Sequence, residues 1–339
     1  MRDADWVMPA IVLLLLQYFS AIFISQLTGF AGRPQTFSYM IMALVLSSIG
    51  GLAILLHRLW RMWREGEEGP IERLRADTDP AAVVTYFLGF QLVALQIAAL
   101  TWLKEMLPWA IPYWADPPLA AFDRAVLGTD AWRIIPDRFI HLLDVLYTTW
   151  APVKFFALML ALVLPASRLK AQAMMAYFLT VGLIGVSGQY LLSSGGPIFY
   201  DRLVNTREFG ALALRTRELA PIAHTASEYL WHSYLGRDTS IGNGISAMPS
   251  IHVATTTWAS MIISRFWRKA AVAIWTFWVI IFAGSIALGW HYLSDGIVGA
   301  GGAVLCWKLA PRLLLRSSRL NFRRLQKLGN HSENVSPLP

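Results

Sequence analysis

The sequence predicts an all-helical, polytopic bundle embedded in a membrane, and three observations carry that reading. Of its 339 residues 56% are hydrophobic and 15 are Trp, which is too apolar for an ordinary soluble domain. The apolar residues gather into about eight runs, each near the roughly 20 residues that a helix needs to cross a bilayer. The Lys and Arg residues behind the formal net charge of +8 cluster just after those runs, as membrane topology signals do, which argues against nucleic acid as a partner. The single cysteine, Cys306, lies inside an apolar run, so neither an internal disulfide nor a cysteine-based metal site is available.

Taken in order, the first run, 6–27, is longer than a signal-peptide core and has no weighty basic segment ahead of it, so it is read as a span. The second, 37–59, is followed by Arg61, Arg64, Arg73 and Arg75 around a G-E-E-G-P turn, and the third covers 81–103. These three helices, residues 1–103, form an accessory N-terminal unit. Residues 104–138 are too rich in Pro, Trp and charge to span; their piece P-L-A-A-F-D-R-A-V-L is expected to lie at the bilayer surface. Spans four and five, 140–164 and 171–192, are joined by a short basic turn with Ser167, Arg168 and Lys170. A second long polar segment, 193–248, precedes the sixth span at 249–264, the seventh at 270–290 and the eighth, which reaches about residue 309. The catalytic core is therefore expected at 139–310, with a basic tail at 311–339. That tail is read as a topology anchor or a membrane-surface helix, and the sequons at Asn330 and Asn334 are placed inside.

Sidedness follows from the basic residues. One set of ends holds 18 Lys and Arg and the other 10, with Lys154 in neither. The richer side is assigned to the cytoplasm, with both termini, so both long polar segments fall on the extracytoplasmic side, periplasmic or lumenal.

The same side carries two motifs. G-N-G-I-S-A-M-P-S-I-H ends at His252, and S-I-A-L-G-W-H-Y-L-S-D places His291 four residues before Asp295. If the second block is helical, the pair shares one face, so that Asp295 orients His291 and raises its nucleophilicity. Pro249 suits a helix start, which puts Ser250 and His252 where unpaired amides favour an anion. Taken singly, each of these histidines reads as an ordinary interfacial polar residue; the combination does not.

M-P-S-I-H together with S-x-x-x-x-x-H-x-x-x-D from Ser285 resembles the second and third signature motifs of the type-2 phosphatidic acid phosphatase superfamily. That resemblance implies His291 as nucleophile, Asp295 as its partner, His252 as general acid, Ser250 and Ser285 as phosphate contacts, and neither metal nor cofactor. Two departures stand out: Ile286 occupies the place of an arginine, and no clear first motif is present. Arg202, just after the fifth span, is the candidate substitute, unless Asp201 pairs with it in a solvated turn. G-I-S-A-M-P-S-x-H, G-x-H-Y-x-x-D and W-A-D-P-P-L-A-A-F-D-R-A-V-L-G look similar to the branch containing fungal inositol phosphorylceramide synthases.

Lys154 sits mid-span, where charge is costly, so it is a pocket candidate together with Tyr147 one heptad away and Asp201. Gln91, Gln96 or Gln189 could instead satisfy it structurally. The resulting expectation is a membrane lipid phosphotransferase, inositolphosphotransferase-like, acting through a phosphohistidine. It would move a phosphoryl-headgroup from a phospholipid donor to a lipid or polyol alcohol. A lipid phosphate phosphatase, acting on phosphatidic acid or a polyprenyl phosphate, and a non-catalytic lipid transporter or binding protein remain as alternatives. Tyr200, Tyr229, Trp231 and Tyr234 in the second polar segment are expected to help exclude water.

Overall fold

The computed structural model describes residues 4–332, with side chains described for 5–314. Among the described residues all regular structure is helical. Helices α1 (Ala4–Thr28), α2 (Thr36–Arg64) and α4 (Pro80–Ala110) pack together, with the short α3 (Pro70–Asp77) in the loop that follows α2. Next come α5 (Asp116–Leu127), α6 (Ile140–Thr148) and α7 (Trp150–Val163). Helix α8 (Arg168–Leu179) runs on through a π-helical stretch, Thr180–Gly188, into α9 (Gln189–Leu191). Three surface helices follow, α10 (Pro197–Val204), α11 (Gly210–Leu219) and α12 (Pro221–Gly236). The chain closes with α13 (Ile251–Phe266), α14 (Ala271–Ala287) and α15 (Leu293–Ser332).

Local chemistry sets the boundaries. Proline opens α3, α4, α10 and α12, where its missing N–H costs nothing. Asp79 caps α4 by accepting from the Ala81 amide at 2.9 Å, and Ser167 caps α8 by accepting from Lys170 at 3.2 Å. The expected fourth span is interrupted at Thr149, because Pro152 can stand only in the first turn of a new helix. The expected seventh span stops at Ala287, where Gly289 turns the chain with φ of +77°.

Among the described residues seven segments are long and apolar enough to cross a membrane: Asp5–Thr28, Thr36–Arg64, Pro80–Ala110, Asp137–Val163, Arg168–Leu191, Arg268–Ala287 and Leu293–Leu314. The expected sixth, 249–264, falls short. Helix α13 has 16 residues, which at 1.5 Å per residue is about 24 Å, less than a hydrocarbon core. It nevertheless lies at the centre of the bundle, packed by α7, α8, α14 and α15, and most of its residues are buried. Outward faces of α1 and α2 are apolar, with Phe19, Phe23, Ile49 and Leu56 exposed, as a lipid-facing surface requires.

Both long polar segments gather at one end of this bundle, the end at which His252 and His291 lie. The Glu105 carboxylate accepts from the Ser240 amide at 3.1 Å, Tyr113 donates to the Ile245 carbonyl at 2.9 Å, and Asp144 accepts the Ile222 and Ala223 amides at 2.8 and 2.9 Å. The last pair seats a carboxylate on the N-terminus of α12, where the helix dipole favours it. Helix α5 was expected to lie flat on the bilayer. It leaves Phe122 and Val126 outside, but it turns Asp116, Ala120 and Asp123 into the protein. The backbone of the tail is helical to Ser332, while the expected surface character of its basic side chains lies outside the described residues, as does Asn334.

Candidate active site

The first motif folds as a turn into a helix. Ser250 is the N-cap of α13: its Oγ accepts from the Val253 amide at 3.3 Å, and its own amide donates to the Asp295 carbonyl at 3.0 Å. The second motif is not helical at its histidine, so the pair at i and i+4 is not a pair on one helix face. His291 stands two residues ahead of α15, in the turn after α14, and its amide is held by the Ser285 carbonyl at 3.0 Å. Asp295, in the first turn of α15, folds back so that its Oδ2 accepts from the Tyr292 amide at 2.9 Å and lies 3.4 Å from His291 Nδ1. That separation is a close contact outside hydrogen-bond geometry, and catalytic contacts of this kind are often long before substrate arrives.

The two histidines face each other with ring centroids 5.8 Å apart. Between and above them lies a cavity of about 260 Å³. His291 is 4% exposed and Asp295 fully buried. Tyr147 and Trp150 hold the His252 ring at centroid distances of 5.4 and 4.3 Å, and Trp150 is itself fixed by donating to Thr255 Oγ1 at 2.9 Å. The close approach of α15 to the start of α13 depends on Gly299, where a Cβ would come within 2.4 Å of the Ser250 carbonyl.

His252, His291 and Tyr147 line the cavity, with Asp295 directly behind His291. Other expected residues sit elsewhere. Ser285 Oγ donates back to the Phe282 carbonyl at 2.8 Å and Ser250 Oγ is occupied as a cap, so neither hydroxyl belongs to the cavity lining. Arg202 pairs with Glu228 and lies 5.3 Å over the Trp231 ring, away from the cavity; the pairing holds the Glu228 carboxyl below its ordinary range. Asp201 accepts from Thr206 Oγ1 and the Phe209 amide, both at 3.0 Å, as a turn residue and not as a partner of Arg202. Lys154 is one layer back, its Nζ 3.9 Å from the Trp150 ring centroid. Of the glutamines proposed as its partners, Gln96 donates to the Phe178 carbonyl at 2.8 Å and Gln91 to that of Met40 at 3.4 Å, while Gln189 Nε2 is buried with no partner among the described residues.

Two polar lining residues, Lys104 and Ser246, were missed. Lys104, at the end of α4, is the one Lys or Arg among the described residues that line the cavity. Gly244, at φ of +93°, lets the 242–246 loop approach it, since a Cβ there would meet Lys104 Cβ at 2.6 Å. Ser246 brings a buried Oγ with no protein partner among the described residues. The signal for Lys104 was its place at the end of an apolar run, which it shares with every topology lysine. Ser246 lay inside the first motif, three residues ahead of Pro249.

Aromatic rings stack beside the cavity. Trp109 and Tyr234 are 5.6 Å apart, Tyr234 and Trp231 5.1 Å, and Trp231 and Phe199 6.4 Å, and Phe199 reaches the lining. Tyr200 is buried against Phe209 at 4.6 Å and Tyr229 is exposed, so neither lines the cavity. On the far side of His291 lie two buried carboxyls of α5. Burial pushes Asp123 up from 3.8 to about 6, against the Leu293 amide that favours its charged form, and burial also raises Asp116.

A family model described as the PAP2 superfamily matches residues 132–309. No curated protein and no solved structure gives a match.

Proposed function

The chain belongs to the PAP2 superfamily, whose members act on phosphate esters, and we propose that it is a membrane phosphotransferase which takes a phosphoryl-headgroup from a phospholipid diester and passes it to an alcohol. The observation that carries this reading is the pair of histidines across one cavity, with a carboxylate behind only one of them. Asp295 occupies the Nδ1 side of His291, which leaves Nε2 free to attack. Its lone pair forms the N–P bond as the P–O bond to the leaving alcohol breaks, the electron pair departing on oxygen. His252 delivers its proton to that oxygen, and Asp295 stabilises the positive charge left on the imidazole. In the second half His252, now neutral, takes the proton of an acceptor alcohol, whose oxygen forms the new P–O bond as P–N breaks.

Charge counting favours a diester. Asp144 is already satisfied by two amides, and Lys104 is the one Lys or Arg among the described lining residues. A lining with one lysine and no arginine beside the proton-donating His252 suits the single negative charge of a phosphodiester better than the dianion of a monoester, for which an arginine would be wanted where Ile286 stands. The apolar wall of Phe199, Ile222, Leu230 and Trp290 supports a lipid as one of the two substrates and limits access of water. The resemblance to inositol phosphorylceramide synthases makes phosphatidylinositol and ceramide the first pair to try.

The test is incubation of purified protein with radiolabelled phosphatidylinositol or phosphatidic acid, with and without ceramide or diacylglycerol. Label should move from the diester to the added alcohol. Release of inorganic phosphate from phosphatidic acid, with no transfer to either alcohol, would replace this reading with a lipid phosphate phosphatase.

A further inference from the structure

Two buried carboxylates take no part in the chemistry above, and both belong to α5, ahead of the residues matched by the family model. Asp116 is fully buried and Asp123 is 2% exposed, while Phe122 and Val126 of the same helix are about half exposed. An amphipathic helix ordinarily presents the opposite arrangement to a protein core. Seven residues apart, the two acids share a face two turns long. Asp116 collects four donors: Ser194 Oγ at 2.7 Å, Tyr292 Oη at 3.0 Å, and the Gly195 and Gly196 amides at 2.8 and 2.9 Å. Asp123 Oδ2 accepts from the Leu293 amide at 3.1 Å. Residues 292 and 293, which directly follow His291, are therefore each gripped by a carboxylate of one helix.

His291 needs such a grip. It lies in a turn without helical hydrogen bonds, tied by its amide to Ser285, and its ring has only the 3.4 Å contact with Asp295. The partner oxygen of Asp295 is itself placed by the Tyr292 amide, so any shift of residue 292 moves nucleophile and orienter together. Asp116 also binds the 194–196 wall of the cavity to the same turn, and Gly196 lies so close to it that a Cβ would meet the Trp290 carbonyl at 2.5 Å.

We propose that α5 is a positioning clamp for the nucleophile: Asp116, acting through Tyr292 Oη, and Asp123, acting through the Leu293 amide, set the place of the His291 ring against Asp295 and the cavity. Neither carboxylate touches substrate; both act through the turn. The clamp rests on the reading of His291 as nucleophile. Displacing such a group by 1 Å typically costs about 100-fold in rate while leaving binding alone.

The test uses the full-length protein with bis-p-nitrophenyl phosphate as probe, following the first-turnover release of p-nitrophenolate, its KM and the thermal midpoint. Tyr292→Phe keeps the buried ring and removes one hydroxyl; Asp116→Asn and Asp123→Asn remove the charges. Each should slow the first turnover about 10- to 100-fold with KM unchanged. The double variant Asp116→Asn/Tyr292→Phe should be no slower than the worse single, because the two changes break one bond. A first turnover at the wild-type rate in the folded fraction overturns the clamp. So does a fall in thermal midpoint with rate and KM unaltered, or a loss in the double variant that is the product of the singles. Where Asp116→Asn fails to fold, Tyr292→Phe and Asp123→Asn decide. His291→Ala separates the two levels. If that variant still gives a first turnover, the nucleophile reading falls and the clamp with it; if it is dead while the α5 variants are normal, the clamp alone falls.

Discussion

A histidine serves as a nucleophile when one ring nitrogen is held and the other left open, and Asp295 meets that requirement for His291 from 3.4 Å away. His291→Ala should therefore abolish any acid-labile phosphoenzyme trapped from radiolabelled donor. Asp295→Asn should keep the fold yet slow attack by on the order of 10³- to 10⁴-fold, as the loss of an orienting aspartate does in a Ser-His-Asp triad. His252→Ala should cost about 10²- to 10⁴-fold on a natural donor but little on a p-nitrophenyl ester, whose leaving group needs no proton. Equal losses on both substrates would remove His252 from the acid role. Lys104→Met, which keeps the length and drops the charge, should raise the KM for a diester donor about 10- to 100-fold, the worth of one charge-assisted hydrogen bond; an unchanged KM would leave the phosphate without the cation assigned to it. The two histidines and Asp295 were legible because their spacing is local and unusual. For Ser250 and Ser285 the fold adds what the motif does not say: Ser250 Oγ accepts from the Val253 amide as a helix cap and keeps its own proton to donate, while Ser285 Oγ donates to the Phe282 carbonyl of its own helix.

Helix lengths followed from the apolar runs, while the breaks between them came from single residues. Pro152 splits the fourth span into α6 and α7, and Gly289 ends α14 early enough to leave His291 in a turn. Helix α13 was readable as a helix but not as the buried centre of the bundle, since an apolar run facing protein looks the same as one facing lipid. Its contact with α15 carries a sharp expectation. Gly299→Ala would push a methyl against the Ser250 carbonyl, a backbone atom that cannot swing aside, and should cost about 1–3 kcal/mol while loosening the bond from the Ser250 amide to the Asp295 carbonyl. Gly301→Ala on the same helix meets nothing within 4 Å and serves as the control. A thermal midpoint and activity as high in Gly299→Ala as in Gly301→Ala would show that the approach of the two helices can relax.

At the scale of the molecule, if α13 inside the bundle is counted as an eighth crossing, the sequence assigns 18 basic residues to one side and 10 to the other, and the side expected to carry the histidines holds fewer. We therefore expect that end to be extracytoplasmic and both termini to be cytoplasmic. In a Cys306→Ala background, Leu235→Cys, at a position 61% exposed on α12, should react with an impermeant maleimide added to intact cells. Glu68→Cys, exposed in the loop after α2, should react only after lysis. The reverse pattern would turn the protein around and place its substrate in the other leaflet. The first three spans, expected to be accessory, also belong to the site's surroundings. Lys104 of α4 lines the cavity, and Tyr39 of α2 accepts from the Gly242 amide at 2.7 Å, bracing the loop that leads to His252.

Composition and periodicity alone determined a helical membrane protein, because a bilayer demands runs of one length and one character from any sequence that crosses it. The two motifs alone pointed to the family, whose members act on phosphate esters, because the residues that carry the resemblance lie within short stretches of chain. Tertiary structure decided which charges meet the cavity. Arg202 was close to the site in sequence order and is paired with Glu228 at the surface; Lys104, about 150 residues before His252, faces the same space as the histidine. It also turned two acids of an apparently superficial helix inward onto the turn that bears His291, since the direction of a helix face is set by what packs against it and not by its own pattern.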